Sequence, residues 1–292
     1  MILSIGEILV DMIGTTNSFT MHVGGAPFNV AANAKRAGAP VSFVGKVGND
    51  VPGKFLLEKI PEYKLDNALV TVDKIRNTTL AFVSHNKFGE RDFTFYRRDT
   101  ADFQLSLKEI DFGKLAPLKI INIGTLMLSE NKGRKFAREL IAKGKQLGAL
   151  IAIDGNFRDD LYKSREERNK ILREYILQAD ILKLSMDELL DFEDCADFET
   201  AINRISFNKI MFITDGAKGS YVIINKNYVF IPSTPIKAVD TTGAGDAFFG
   251  TALALIHKLL EDGKKLSLDA LEEIGKQANK KGREAVTKRG AL

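Results

Sequence analysis

Residues 240–256 read DTTGAGDAFFGTALALI: two glycines and two aspartates lead straight into an almost wholly apolar helix. Gly243 and Gly245 open the backbone to a ligand. The first turn of a helix presents unpaired N–H groups and the positive end of the macrodipole. The amides of Ala244, Gly245 and Asp246 therefore predict an anion hole for a transferring phosphate. Asp246 would be a carboxylate held ionised beside that terminus. In a loose phosphoryl-transfer transition state, so weak a base suffices to orient an acceptor hydroxyl and collect its proton late. Asp and Gly also open helices as plain caps, and this segment alone leaves both readings open.

A second constellation, GGAPFNVAANAKRAG at 24–38, again places glycines before a helix and presents Asn29 one turn in. Gly24 and Gly25 would allow close approach of a hydroxyl-rich ligand, and an Asn amide both donates to and accepts from a vicinal diol. A tight turn before a capped helix is the structural alternative. Neither G-x-x-x-x-G-K-[ST] nor G-x-G-x-x-G after the first strand occurs, which argues against a P-loop or a dinucleotide-binding fold. His22, His85 and His257 lack metal-ligand spacing, and Cys195 has no paired histidine in sequence. Phe28 and Phe103 read as packing residues.

These candidates need a frame. Short β-rich runs at 2–9, 41–47, 119–123, 150–153, 181–184 and 209–214 alternate with helical periodicity at 130–147, 164–178 and 198–205. That alternation predicts a mostly parallel sheet with helices on both faces. Two segments break the rhythm: 11–23, with a turn at Thr15, Thr16 and Asn17, and 78–98, with two strands around Asn86, Lys87, Phe88 and Gly89. Both suit a small separate sheet. Lys276, Lys280, Lys281, Arg283, Lys288 and Arg289 form a basic C-terminal helix and tail, read as a solvated face.

The 292 residues, 45% of them hydrophobic, suffice for a large core. A net charge of +4 gives no case for nucleic acid or an anionic membrane as partner. One cysteine rules out an internal disulfide and fits a reducing, cytoplasmic setting. No stretch approaches the roughly 18 to 20 apolar residues of a membrane span. The opening MILSIGEILVDM reads as a first strand and not a leader.

Taken together, GGAPFNVAANAKRAG and DTTGAGDAFFG resemble the paired signatures of the ribokinase-like (PfkB) sugar kinase family. The opening SIGEILVDM, the central ITDGAKGS and the order of elements extend the resemblance over the whole chain. It implies an ATP-dependent kinase with a three-layer α/β/α core over 1–10, 24–75 and 99–292, and a β lid from 11–23 and 76–98. Asp246 then matches the catalytic base, Gly243, Ala244 and Gly245 the anion hole, and Asp11, Gly24, Gly25 and Asn29 the residues that hold sugar hydroxyls.

Local strings resemble the fructokinase branch and the neighbouring 2-keto-3-deoxygluconate kinases. DGNFR at 154–158 would bring Arg158 to the substrate, and FTFYRRDTAD at 93–102 would offer Tyr96 and Arg97. KLSMDEL at 183–189 puts Lys183 and Ser185 on the nucleotide side. Glu188 would hold a water of Mg²⁺, which keeps most of its hydration shell. S-x-x-E is equally a capping box. Thr214, Gly216 and Gly219 of TDGAKGS resemble the turn near the phosphates, and Asn279 falls where the adenine edge is met. Asp240 and Thr242 would offer oxygens to a K⁺ ion of the kind some relatives hold.

The resemblance thus implies transfer of the ATP γ-phosphoryl group to the C6 hydroxyl of fructose. Its rivals are 2-keto-3-deoxygluconate, for which Arg97, Arg98 and Arg158 argue, and ribose or a nucleoside. A sugar or nucleotide sensor without turnover is the rival of a different class. Exposed lid edges would suit a homodimer in which the lids cover each other.

Overall fold

Strands and helices alternate as their periodicities predict, and the order in which the strands pair creates the crevice that matters. The computed structural model describes residues 1–15, 17–85, 91–115, 117–287 and 290–292. Thr16, Asn86, Lys87, Phe88, Gly89, Lys288 and Arg289, named above in turns and in the basic tail, lie outside the described residues.

The chain begins with β1 (Ile2–Ile5), β2 (Leu9–Thr15), β3 (Ser18–Gly24) and α1 (Ala26–Arg36). Next come β4 (Val41–Gly48), α2 (Val51–Lys59), β5 (Asn67–Asp73), β6 (Leu80–His85), β7 (Arg91–Tyr96) and β8 (Ile120–Ile123). The central part holds α3 (Asn131–Gln146), β9 (Leu150–Asp154), α4 (Arg165–Ile176), β10 (Ile181–Ser185), α5 (Met186–Glu193) and α6 (Phe198–Arg204). It closes with β11 (Ile210–Thr214), β12 (Gly219–Ile224), β13 (Asn227–Pro232), α7 (Ala244–Glu261) and α8 (Leu268–Ala285). The run expected as one strand over 2–9 is split: the chain leaves the large sheet after Ile5 and enters the small one at Leu9.

The large sheet runs β13-β12-β11-β10-β9-β8-β1-β4-β5. It is parallel from β11 to β5 and closes with the antiparallel hairpin β12–β13, whose turn residues Asn225 and Lys226 both have positive φ. Along β1, Leu3 and Ile5 pack into one apolar layer with Phe136 of α3, Leu172 of α4 and Leu189 of α5. Ile2 packs into the other with Phe28 of α1, Phe248 of α7 and Ile274 of α8. Period-two strands thus meet helices on both faces, giving the three-layer α/β/α architecture. Each large side chain fully buried there contributes about 1.5 to 3 kcal/mol.

β1 has β4 on one side and β8 on the other, both parallel to it. Sheet order reverses there, and in open α/β sheets the crevice at the carboxyl ends of such strands is where ligands bind. The small sheet, β3-β2-β6-β7, stands at the same end; its central pair β2–β6 is parallel and its outer pairs are antiparallel.

Helices α1 and α7 cross closely because Gly250 carries no side chain: a Cβ there would lie 2.6 Å from the Val30 carbonyl oxygen. That contact brings the two glycine-led helix starts together. Among the described residues, no helix is long and apolar enough to cross a membrane.

Candidate active site

Gly243 is the N-cap of α7, with φ 75° and ψ −2°. A Cβ at Gly243 would sit 2.5 Å from the Ala291 carbonyl oxygen, so conformation and space both require glycine. The N–H groups of Gly245 and Asp246 have no acceptor among the described residues, whereas Ala244 N reaches Thr241 O only at 3.4 Å. Asp246 does not cap its helix. Instead its Oδ2 accepts a 2.8 Å hydrogen bond from Asn29 Nδ2.

The surroundings of Asp246 act against the ionised state expected from the helix start. Burial pushes its carboxyl above the usual carboxylate range, outweighing the Asn29 hydrogen bond and the nearby charges of Lys183 and Arg158. A raised carboxyl is a stronger base once deprotonated.

Two cavities meet at this point. The first, about 700 Å³, is lined by Asp11, Gly25, Asn29, Arg158, Asp240, Thr242, Gly243, Gly245 and Asp246 of the expected residues. Glu7, Leu9, Phe95, Leu126 and Asn156 complete much of its wall. The second, about 450 Å³, is lined by Lys183, Ser185, Thr214, Gly216, Gly219, Ala244 and Asn279. Lys183, Ala238, Thr241 and Gly245 border both. A group passing from one cavity to the other would cross the start of α7.

Gly24 lies behind the first cavity, against the Asp11 carboxylate. Tyr96 and Arg97, expected at the sugar, do not line it. The register pairs Asp11 with Ala81 and Ala81 with Phe95, so that row faces the cavity and Tyr96, one residue on, points to the opposite face. Arg97 is buried in an ion pair with Asp102, donates to Leu126 O at 2.9 Å and stacks 3.8 Å above the Phe103 ring. Phe95 and Glu7 are among the cavity residues that sequence reasoning missed; strand alternation, once its phase is known, gives the first.

Lys183 Nζ lies 2.9 Å and 3.1 Å from the two carboxylate oxygens of Asp154. Burial alone would lower its pKa, but Asp154 and Glu188 outweigh burial and hold the ammonium above its ordinary value. Burial drives Asp154 up, to about 7, against the pull of Lys183. A Cβ on Gly245 would lie 2.9 Å from Lys183 Nζ, so this cation sits against the backbone of the expected anion hole.

The capping-box alternative for Glu188 is present in full: its Oε2 accepts from Ser185 N and its backbone N–H donates to Ser185 Oγ. Its Oε1 accepts from Phe157 N. Each carboxylate oxygen retains a lone pair for a metal-bound water. Asn279 Nδ2 donates to Ile231 O at 3.1 Å, leaving its carbonyl to meet an exocyclic amine. Asp240 accepts from Thr242 N and Gly290 N, and Thr242 Oγ1 is buried with no partner among the described residues. That orphaned hard oxygen fits a monovalent cation. Among the described residues no group of three or more His, Cys, Asp or Glu side chains could hold a metal by itself. His257 is buried beside the Met1 amino group, and Cys195 is a free thiol.

The model of the pfkB family carbohydrate kinases matches residues 1–292. This chain belongs to that family. It is a sugar kinase, an ATP-dependent phosphotransferase acting on a sugar hydroxyl. A fructokinase of Oryza sativa is 34% identical over 312 residues, spanning 100% of this chain and 93% of its own length. An uncharacterized sugar kinase from Pyrococcus horikoshii, solved in complex with ATP, is 36% identical, covers 100% of this chain and 94% of its own, and superposes with a TM-score of 0.85. The fructokinase of Vibrio cholerae, solved with fructose, ADP and calcium ion, is 28% identical, covers 99% and 94%, and gives a TM-score of 0.89.

Proposed function

We propose that this sugar kinase phosphorylates fructose at its C6 hydroxyl, with residues 11–23 and 76–98 acting as a lid over a core of 1–10, 24–75 and 99–292. The observation that carries the reading is the position of Asp246, on the wall of the first cavity at the border with the second and hydrogen-bonded to Asn29. The sugar would occupy the first cavity with its hydroxyls against Asp11, Asn29 and Gly25, and ATP the second, with its adenine toward Asn279 and its phosphates against Lys183, Ser185, Thr214, Gly216 and Gly219. Asp246 orients the C6 hydroxyl; as that oxygen bonds to the γ-phosphorus, the bond to the ADP oxygen breaks and the proton passes to Asp246. The amides of residues 243–246 and the Lys183 ammonium balance the charge on the transferring group.

Mg²⁺, when bound, neutralises the nucleotide phosphates, with Glu188 holding one of its waters. A K⁺ ion at Asp240 and Thr242 belongs to the same reading. So do a cytoplasmic location and a homodimer through the lid, for which Phe19 and Tyr96 on its outward face supply exposed aromatic surface. The fructokinase relatives support fructose. Arg158, the arginine lining the sugar cavity, supports a second acceptor, 2-keto-3-deoxygluconate, whose carboxylate a guanidinium would pair with.

A coupled ADP-release assay with Mg-ATP and fructose, 2-keto-3-deoxygluconate, ribose, glucose and adenosine decides between them. Turnover with fructose well above the rest is expected. Preference for the acid sugar moves the acceptor assignment to the second reading. Binding of sugar and ATP without turnover on any acceptor would overturn both.

A further inference from the structure

Glu7 has no part in the chemistry above, yet it lines the sugar cavity. It lies two residues past the end of β1, at the crevice where the sheet order reverses, and its carboxyl packs against Gly124 at the end of β8. The residue is 1% exposed, and no other described residue makes a hydrogen bond to either carboxyl oxygen. The opposing charge that acts on it most strongly is that of Arg97, whose guanidinium is already engaged by Asp102 and Leu126 O. A buried polar group left without a partner costs stability, and an apolar side chain would avoid that cost. Asn29 Oδ1, lining the same cavity, is a second buried acceptor without a partner. The orphaned acceptors of Glu7 and Asn29 in one cavity wall call for a ligand rich in O–H donors.

We infer that Glu7 is a sugar-binding residue, its carboxyl exchanging hydrogen bonds with a hydroxyl of the acceptor in the cavity it shares with Asn29. The inference rests on reading this cavity as the sugar site. Burial pushes the Glu7 carboxyl up to about 8; Arg97 and its own backbone N–H oppose the shift, while Asp102 and Asp246 reinforce it. Asp11, Arg158, Lys183 and Asp240 are, with Asp246, the other charged side chains lining the cavity. Below that value Glu7 both donates and accepts; above it the group only accepts, and it adds a negative charge near Asp246.

The test compares Glu7→Leu and Glu7→Gln with the unaltered protein on whichever acceptor the latter turns over, recording both KM values from about pH 6 to pH 9. Glu7→Leu should raise the sugar KM about tenfold, leave the ATP KM within about twofold and not lower the Tm. Glu7→Gln, which donates and accepts but does not titrate, should recover most of that loss. It should also abolish the rise in sugar KM that the unaltered protein shows on the alkaline side. An unchanged sugar KM in Glu7→Leu, or equal rises in both KM values with a lowered Tm, overturns the inference. If Glu7→Leu does not fold, a persistent alkaline rise in Glu7→Gln overturns it alone. Asp246→Asn, run in parallel, separates the two levels: full activity there sinks the cavity reading itself, whereas loss of activity there with Glu7→Leu unaffected sinks only the role of Glu7.

Discussion

Asn29 Nδ2 and Asp246 Oδ2 meet at 2.8 Å across 217 residues of chain, joining the first turn of α1 to the first turn of α7. The bond favours the ionised form of Asp246, opposing the burial that raises its pKa. Activity should therefore fall as the pH drops through the raised pKa of Asp246. Asn29→Ala removes a stabiliser of the carboxylate, so the acid limb of kcat/KM should move to higher pH. Asp246→Asn should lower kcat by about two or more orders of magnitude with sugar affinity largely kept, measured by calorimetric titration. An acid limb that stays in place in Asn29→Ala would show that another group controls it.

Lys183 and Asp154 form a buried pair between the two cavities, and removing one charge leaves the other uncompensated. Lys183→Met should cost about 3 to 5 kcal/mol of stability by denaturant unfolding. The double variant Lys183→Met, Asp154→Leu should recover much of that stability without recovering kcat. A double variant with full kcat would remove Lys183 from phosphoryl transfer.

The outward face of the small sheet carries Phe19, Phe82 and Tyr96, with successive ring centroids 5.1 Å apart. Phe19 is 40% and Tyr96 61% exposed. Replacing both with Asp should convert a lid-mediated dimer to monomer in analytical ultracentrifugation while the Tm stays within a few degrees. A dimer that persists in that variant would place the interface elsewhere.

The sequence by itself determined the fold class and the two helix starts where the chemistry gathers. Period-two and period-3.6 patterns depend on which residues can face water, and glycine-led helix starts depend on local backbone sterics; both are near-neighbour properties. Through the family resemblance it also pointed to several residues that line the second cavity, among them Lys183, Ser185, Thr214 and Asn279.

Only the tertiary structure decided the rest. Which of Phe95 and Tyr96 faces the cavity depends on the pairing of β7 with β6 and of β6 with β2, and a one-residue slip would exchange them. Arg97 is expected at the sugar from the resemblance of FTFYRRDTAD to a lid strand, whereas the burial of its pair with Asp102 is a matter of packing. Glu7 carries one charge within the apolar opening run, yet β1 ends before it and burial leaves its oxygens without a hydrogen bond from any other described residue. The raised pKa of Asp246 has the same origin: solvent exclusion is set by what the whole chain brings around a group, and no local pattern records it.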